Sequence, residues 1–203
     1  MTVPGVALSA LLTLTAAGAP EAVAPAPVPR FKPSIEELSN FATMPAEARE
    51  AMVRALATRL VERLEADPAD VEGWLRLAQA RLTLGERPLA LFAFRRALAL
   101  APRSPSVLKA YAAAELGERD PVTGWPMVTA EAFLLYRRLA MIDPREPEAR
   151  WYLGLHAFQT GDVVVAADQW RALLRLLPPE TAAAETIRQR LEGLREAAAR
   201  PAS

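Results

Sequence analysis

Gly85-Glu-Arg-Pro-Leu-Ala-Leu-Phe-Ala-Phe-Arg-Arg-Ala-Leu-Ala-Leu-Ala-Pro102 is the stretch whose spacing organises the rest of the chain. Its Gly85, Ala90, Phe94 and Pro102 recur as Gly161, Ala166, Trp170 and Pro178, each 76 residues further on. A middle copy reads Ala132, Tyr136 and Pro144. Four prolines, Pro68, Pro102, Pro144 and Pro178, stand 34, 42 and 34 residues apart, so the period is 34 with one insertion of eight. Each proline closes a helical stretch, because its ring clashes with the preceding turn and it has no N–H to donate. The small residue at the Ala90 position lets two helices approach, and the aromatic four residues later fills the gap beside them.

A 34-residue period with this small, aromatic and proline pattern is that of tetratricopeptide (TPR) repeats. The expected fold is therefore all-α, a TPR helical-hairpin solenoid of about three repeats plus capping helices. The first full repeat starts at the N-cap Asp70 and runs through Trp74, Leu77, Ala78 and Arg81 to a turn at Gly85. Its second helix carries Ala90, Phe94, Ala97 and Leu98. The second repeat opens at Ser104-Pro105, continues through Leu108, Tyr111 and Ala112, and breaks at Gly117–Pro126 before the helix of Ala132 and Tyr136. The third uses Leu153, Gly154 and Ala157, turns at Gly161-Asp162, and places Ala166, Trp170 and Leu173 inside. Ahead of the array, Pro45 opens a helix expected to bury Ala48, Met52, Leu56, Leu60 and Leu64 on one stripe. Behind it, a helix from about Thr181 to Ala199, with Ile187, Leu191 and Leu194 inside, reads as the C-terminal cap.

The chain divides into a hydrophobic leader or membrane segment at 1–19, an Ala/Pro-rich linker at 20–33, and the TPR domain at 34–200. Val3 to Ala19 carries no charge and sits at the short edge of bilayer-spanning length. No Lys or Arg precedes it, and Pro20 spoils the Ala17-Gly18-Ala19 cleavage site of a signal peptide. A membrane or export segment is favoured over a free leader, since a loose apolar tail invites aggregation. Five prolines between Pro20 and Pro33 make an extended, semi-rigid stalk. Ser34 and Glu37 form a capping box for a short helix reaching about Ala42.

Bulk properties exclude several classes. With 24 basic and 24 acidic residues the formal charge is zero, so no general field draws the chain to nucleic acid. The absence of cysteine rules out disulfides, thiolate metal sites and thiol catalysis. There is no Gly-rich phosphate loop, no nucleophile paired with a histidine base, and no carboxylate pair at a strand end, so catalysis ranks last. His156 is the single histidine, and one imidazole without thiols or clustered carboxylates makes a poor haem or metal ligand set; no cofactor is expected. Arg95, Arg137 and Arg171 fall in register on the second helices, and read as a solvated face rather than a lipid or acidic-partner site. Trp125, inside the insertion, either packs its loop on the neighbouring repeat or meets a partner, with loop packing the default.

The first helices of such repeats line the concave face. Three triplets recur there with spacings of four then three: Leu75, Gln79 and Leu82; Lys109, Ala113 and Leu116; Trp151, Leu155 and Phe158. That spacing puts each triplet on one stripe. The third stripe is apolar and aromatic, which suits the apolar face of an amphipathic helix laid in a groove. The alternative, evenly weighted, is that a terminal helix of the protein covers it.

Three segments resemble a known family. They are Glu62-Arg-Leu-Glu-Ala-Asp-Pro-Ala-Asp-Val-Glu-Gly-Trp-Leu-Arg-Leu77, Trp151-Tyr-Leu-Gly-Leu-His-Ala-Phe-Gln-Thr-Gly-Asp162 and Trp170-Arg-Ala-Leu-Leu-Arg-Leu-Leu-Pro-Pro179. Together with the inserted turn before Ala132, they are similar to the repeat domain of the bacterial cytochrome c biogenesis family CcmI/CycH, over about Met44 to Ala198. The Glu-Ala-Asp-Pro entry and the Leu-Leu-Pro-Pro exit are its less generic parts. The resemblance implies a periplasmic domain tied to the inner membrane by its N-terminal segment. Such a domain captures unfolded apocytochrome c through its C-terminal helical segment and presents it to the haem-ligation membrane subunits. The family usually has two membrane segments, and here at most one, marginal in length, is expected. The competing reading is an envelope TPR adaptor that scaffolds another assembly.

Overall fold

A computed structural model describes residues 43–199, with side chains to Arg195. The leader, the linker and the capping-box helix expected at Ser34 to Ala42 lie outside the described residues. From Met44 onward the described chain belongs to one compact unit.

Among the described residues there are eight helices and no strand: α1 Ala46–Ala66, α2 Val71–Thr83, α3 Arg87–Leu100, α4 Pro105–Ala114, α5 Ala130–Ile142, α6 Pro147–Gln159, α7 Val163–Leu174 and α8 Ala182–Ala199. Their boundaries follow from local chemistry. Asp70, Ser104, Thr129 and Asp162 each accept a backbone N–H three residues on with a side-chain oxygen, capping α2, α4, α5 and α7. Gly85 and Gly161 end α2 and α6 with φ of 73° and 83°, in the left-handed region that only glycine enters cheaply. Each is followed by an N–H reaching back to the last turn, from Glu86 to Arg81 at 2.9 Å and from Asp162 to Ala157 at 2.8 Å.

Neighbouring helices pair as α2 with α3, α4 with α5, and α6 with α7, and the pairs stack in order between α1 and α8. Ala78, Ala90, Ala93 and Ala97 let α2 and α3 meet closely enough that Phe94 is wholly buried. The aromatic at this position ties each repeat to the next. Phe94 stacks on Tyr111 with centroids 5.7 Å apart, and Tyr136 stacks on Tyr152 at 4.6 Å. In the third repeat Trp170 instead joins Ala166, Leu173, Ile187 and Leu194, so α8 closes the array. Gly154 fits this larger ring: a Cβ there would lie 2.6 Å from Cδ1 of Trp170.

One expectation is corrected on α1. The buried residues are Val53, Ala57, Leu60 and Leu64, while Met52 and Leu56 are exposed and Ala48 is half-buried. A row spaced strictly by four drifts about 40° per step around a helix of 3.6 residues per turn, so five such residues cannot share a face. The buried set alternates spacings of four and three, which holds one side toward α2.

Candidate peptide-binding face

The triplets of the three first helices have different fates. On α2, Gln79 is exposed and Leu75 and Leu82 are half-buried. On α4, Lys109 and Ala113 are exposed, and Leu116, just past the end of the helix, is half-buried. Lys109 is committed to the next repeat: its Nζ lies 3.3 Å from Glu146 and 3.5 Å from Glu148, at the start of α6. Partial burial works against its charge, but these two carboxylates hold the ammonium above the usual lysine range. Glu148 also accepts from the Tyr136 hydroxyl at 3.0 Å, and burial first, then that carboxylate, pushes the Tyr136 phenol upward. Tyr111 is pushed up to about 12, again by burial and then by Glu115.

On α6 the expected open stripe is not open. Trp151 is half-buried, Phe158 is 39% exposed, and Leu155, between them, is fully buried. Leu155 is thus core rather than lining, and the inserted link is laid against this helix at Trp151, Phe158 and Gln159. Residues 115–129 form a short hairpin, with Gly117 donating to Met127 O at 2.8 Å, Met127 to Glu118 O at 2.9 Å, and Asp120 to Trp125 O at 2.7 Å. The Asp120 carboxylate accepts from Thr123 and Val122 in the tight turn, and those bonds hold it below the usual carboxylate range. Gln159, at the end of α6, clamps the returning arm: its side-chain carbonyl accepts from Val128 N at 3.0 Å and its NH2 donates to Pro126 O at 3.0 Å. Trp125 is thereby set edge-on to Trp151, Phe158 and Trp170, with centroids 5.6, 6.2 and 6.3 Å away. Arg190 of α8 lies over the same indole, 4.2 Å from its centre. The loop tryptophan, which the sequence did not point to as a cover, lies against the stripe, and the terminal helix reaches it through Arg190 on the Trp125 ring.

Sequence reasoning missed two features. A cavity of about 320 Å³ opens between α1, α2 and α3, lined by Val61, Leu64, Trp74, Leu77, Leu89 and Phe92. Leu89 and Phe92 are half exposed at its edge, and Phe92 meets Trp74 edge-on at 6.2 Å. The sequence signal was present, since Leu89 and Phe92 flank the core positions Ala90, Ala93 and Phe94. A second cavity of about 380 Å³ borders His156, which stacks on Phe133 at 4.2 Å. Burial holds this imidazole below the usual histidine range. Arg95, Arg137 and Arg171 are exposed, Arg171 pairing with Asp168 and Arg137 lying over Phe133. Among the described residues no group of three or more His, Cys, Asp or Glu is placed to hold a metal.

The helical-hairpin repeats are shared with known proteins. Residues 33–184 match the family described as "Cytochrome c-type biogenesis protein H TPR domain". The chain belongs to this family. It is similar to the "Cytochrome c-type biogenesis protein CycH" of Bradyrhizobium diazoefficiens, with 33% identity over 125 residues, covering 62% of this chain and 32% of that protein. It is also similar to the protein of the same description from Pseudomonas aeruginosa, 28% identical over 162 residues, covering 80% of this chain and 37% of that one. The chain thus spans about a third of the length of these relatives. Among solved structures, the crystal structure of MamA superposes with a TM-score of 0.55 at 17% identity, over 82% of this chain and 89% of MamA. That likeness concerns the fold. Membership in the family supports a role in cytochrome c-type biogenesis exercised through a TPR domain.

Proposed function

We propose that this TPR domain binds unfolded apocytochrome c through its C-terminal helical segment and presents it to the haem-ligation membrane subunits of cytochrome c maturation. The working surface is the face of α2, α4 and α6. Leu75, Gln79, Leu82, Ala113 and Leu116 offer an apolar stripe with a polar centre, and Trp151 and Phe158 stand at its far end. Leu155 supports that end from within, and Lys109 acts through its bridge to Glu146 and Glu148. The observation that carries the reading is the family match over residues 33–184, joined to apolar positions in register in successive repeats, half-buried at Leu75, Leu82, Leu116 and Trp151 and exposed at Ala113 and Phe158. The protein supplies no chemistry; it holds the client's haem-binding segment within reach of the ligation partners.

The site of action is the periplasmic side of the inner membrane, with the uncharged run Val3–Ala19 as the attachment. Among the described residues no helix is long and apolar enough to cross a membrane. The exposed groove at Leu89 and Phe92 favours a second role as docking point for another member of an envelope assembly.

Calorimetric titration of the full chain with a peptide of an apocytochrome c C-terminal helix tests the reading. The expected result is a dissociation constant in the micromolar range or below, about tenfold weaker for Leu82→Ala or Trp151→Ala. Equal binding of an unrelated amphipathic peptide would reduce the protein to generic peptide capture.

A further inference from the structure

The first and third repeats join their helices by a single glycine turn, at Gly85 and Gly161. The long link 115–129 of the second repeat is therefore not needed to build a helical hairpin. What the extra residues do is carry one indole onto the next repeat. Trp125 presents its apolar ring to Trp151, Phe158 and Trp170 at the end of the stripe assigned above to the client.

Its hold is modest. Trp125 is only half-buried, whereas Trp170 beneath it is 1% exposed. The hairpin itself is two short arms, and such a unit is marginally stable without outside support. That support is the Gln159 amide, the ring edges and the Arg190 guanidinium. At the tip, Val122 is 91% exposed. Segments with few buried contacts and exposed hydrogen bonds are those that open locally below the global unfolding free energy.

We propose that hairpin 118–127 is a built-in competitor, with Trp125 occupying the place of an aromatic or large aliphatic side chain of the client helix. Resting on the peptide-binding reading, this adds its regulation. In the free protein the apolar end of the trough is shut, which spares it from self-association. A client helix anchored on Leu75, Leu82 and Leu116 then displaces the indole and completes the contact. The apparent affinity is the intrinsic one multiplied by the fraction of molecules with the hairpin lifted.

The test is titration of the full chain, wild type against Trp125→Ala and Gln159→Ala, with the same apocytochrome c C-terminal peptide, alongside amide hydrogen exchange over 118–127. Gln159→Ala frees the hairpin while leaving all the rings in place, so it serves even if Trp125→Ala lowers stability. The expected result is about tenfold tighter binding by both variants, and faster exchange of the Met127 and Asp120 amides when peptide saturates the wild type. Unchanged or weaker binding, with slower exchange in the hairpin, overturns the proposal and makes the hairpin a fixed wall of the site. Failure of the peptide to bind any of the three proteins removes the binding reading itself, and the competitor with it.

Discussion

The first and third repeats start from the same register and end with opposite surfaces. Gln79 on α2 is open and Leu75 and Leu82 beside it are half open, whereas Gln159 clamps the hairpin onto α6. Their counterparts Trp151 and Phe158 are built into an aromatic group with Trp125, from another repeat, and Trp170, and Leu155 is fully buried. The helices themselves are not the cause. A repeat fixes which positions face the trough, and the connections and ends of the array decide whether that position meets solvent or another part of the chain.

The same contrast holds in the core, where the largest effect is expected. Ala78 and Gly154 are the matched small positions, both buried, and Gly154 lies directly against Trp170, the counterpart of Phe94. Gly154→Ala places a methyl against Trp170 and is expected to cost about 1–3 kcal/mol by overpacking, with the third repeat and α8 losing protection first. Ala78→Gly relieves nothing and is expected to cost about 1 kcal/mol through helix propensity. Chemical denaturation of both variants checks the order, and equal costs would mean the two repeats are packed alike.

A smaller difference is pH. His156 belongs to the third repeat, and no other histidine exists in the chain. Its imidazole is held low by burial, so the unfolded chain takes up a proton more readily than the folded one. Its neutral form is fully compatible with folding above the ordinary histidine pKa, and stability falls as pH drops through that value. Lowering pH from about 7.5 to 5.5 is expected to reduce the melting temperature slightly. His156→Phe should remove the histidine's share while preserving the stack on Phe133. An unchanged acid sensitivity in that variant would place the effect elsewhere.

Most of the ladder was legible in the sequence because each element carries a local signal. Asp70 and Ser104 as caps, Gly85 and Gly161 as turns, and the ring at Phe94, Tyr136 and Trp170 act within a few residues of themselves or on a neighbour one period away. Where the reading went astray, distance along the chain was the reason. Leu155 looked like a lining residue because nothing near it in sequence says that residues 118–127 return to its helix. Val53 and Ala57, rather than Met52 and Leu56, face the core because packing against α2, not the row of large residues, orients α1. Trp125 was legible as an anchor, but its three ring partners were not, since they come from two different helices.

Proton–proton Overhauser contacts from the Trp125 ring, in the free protein, test most directly whether the third repeat is self-covered while the first is open. Cross-peaks from the Trp125 indole to Trp151, Phe158 and Trp170, with none reaching Leu75 or Leu82, are expected. An indole with no contact to those three rings and the narrow, shifted-to-free resonances of a solvent-exposed side chain would contradict the covered trough and the competitor drawn from it.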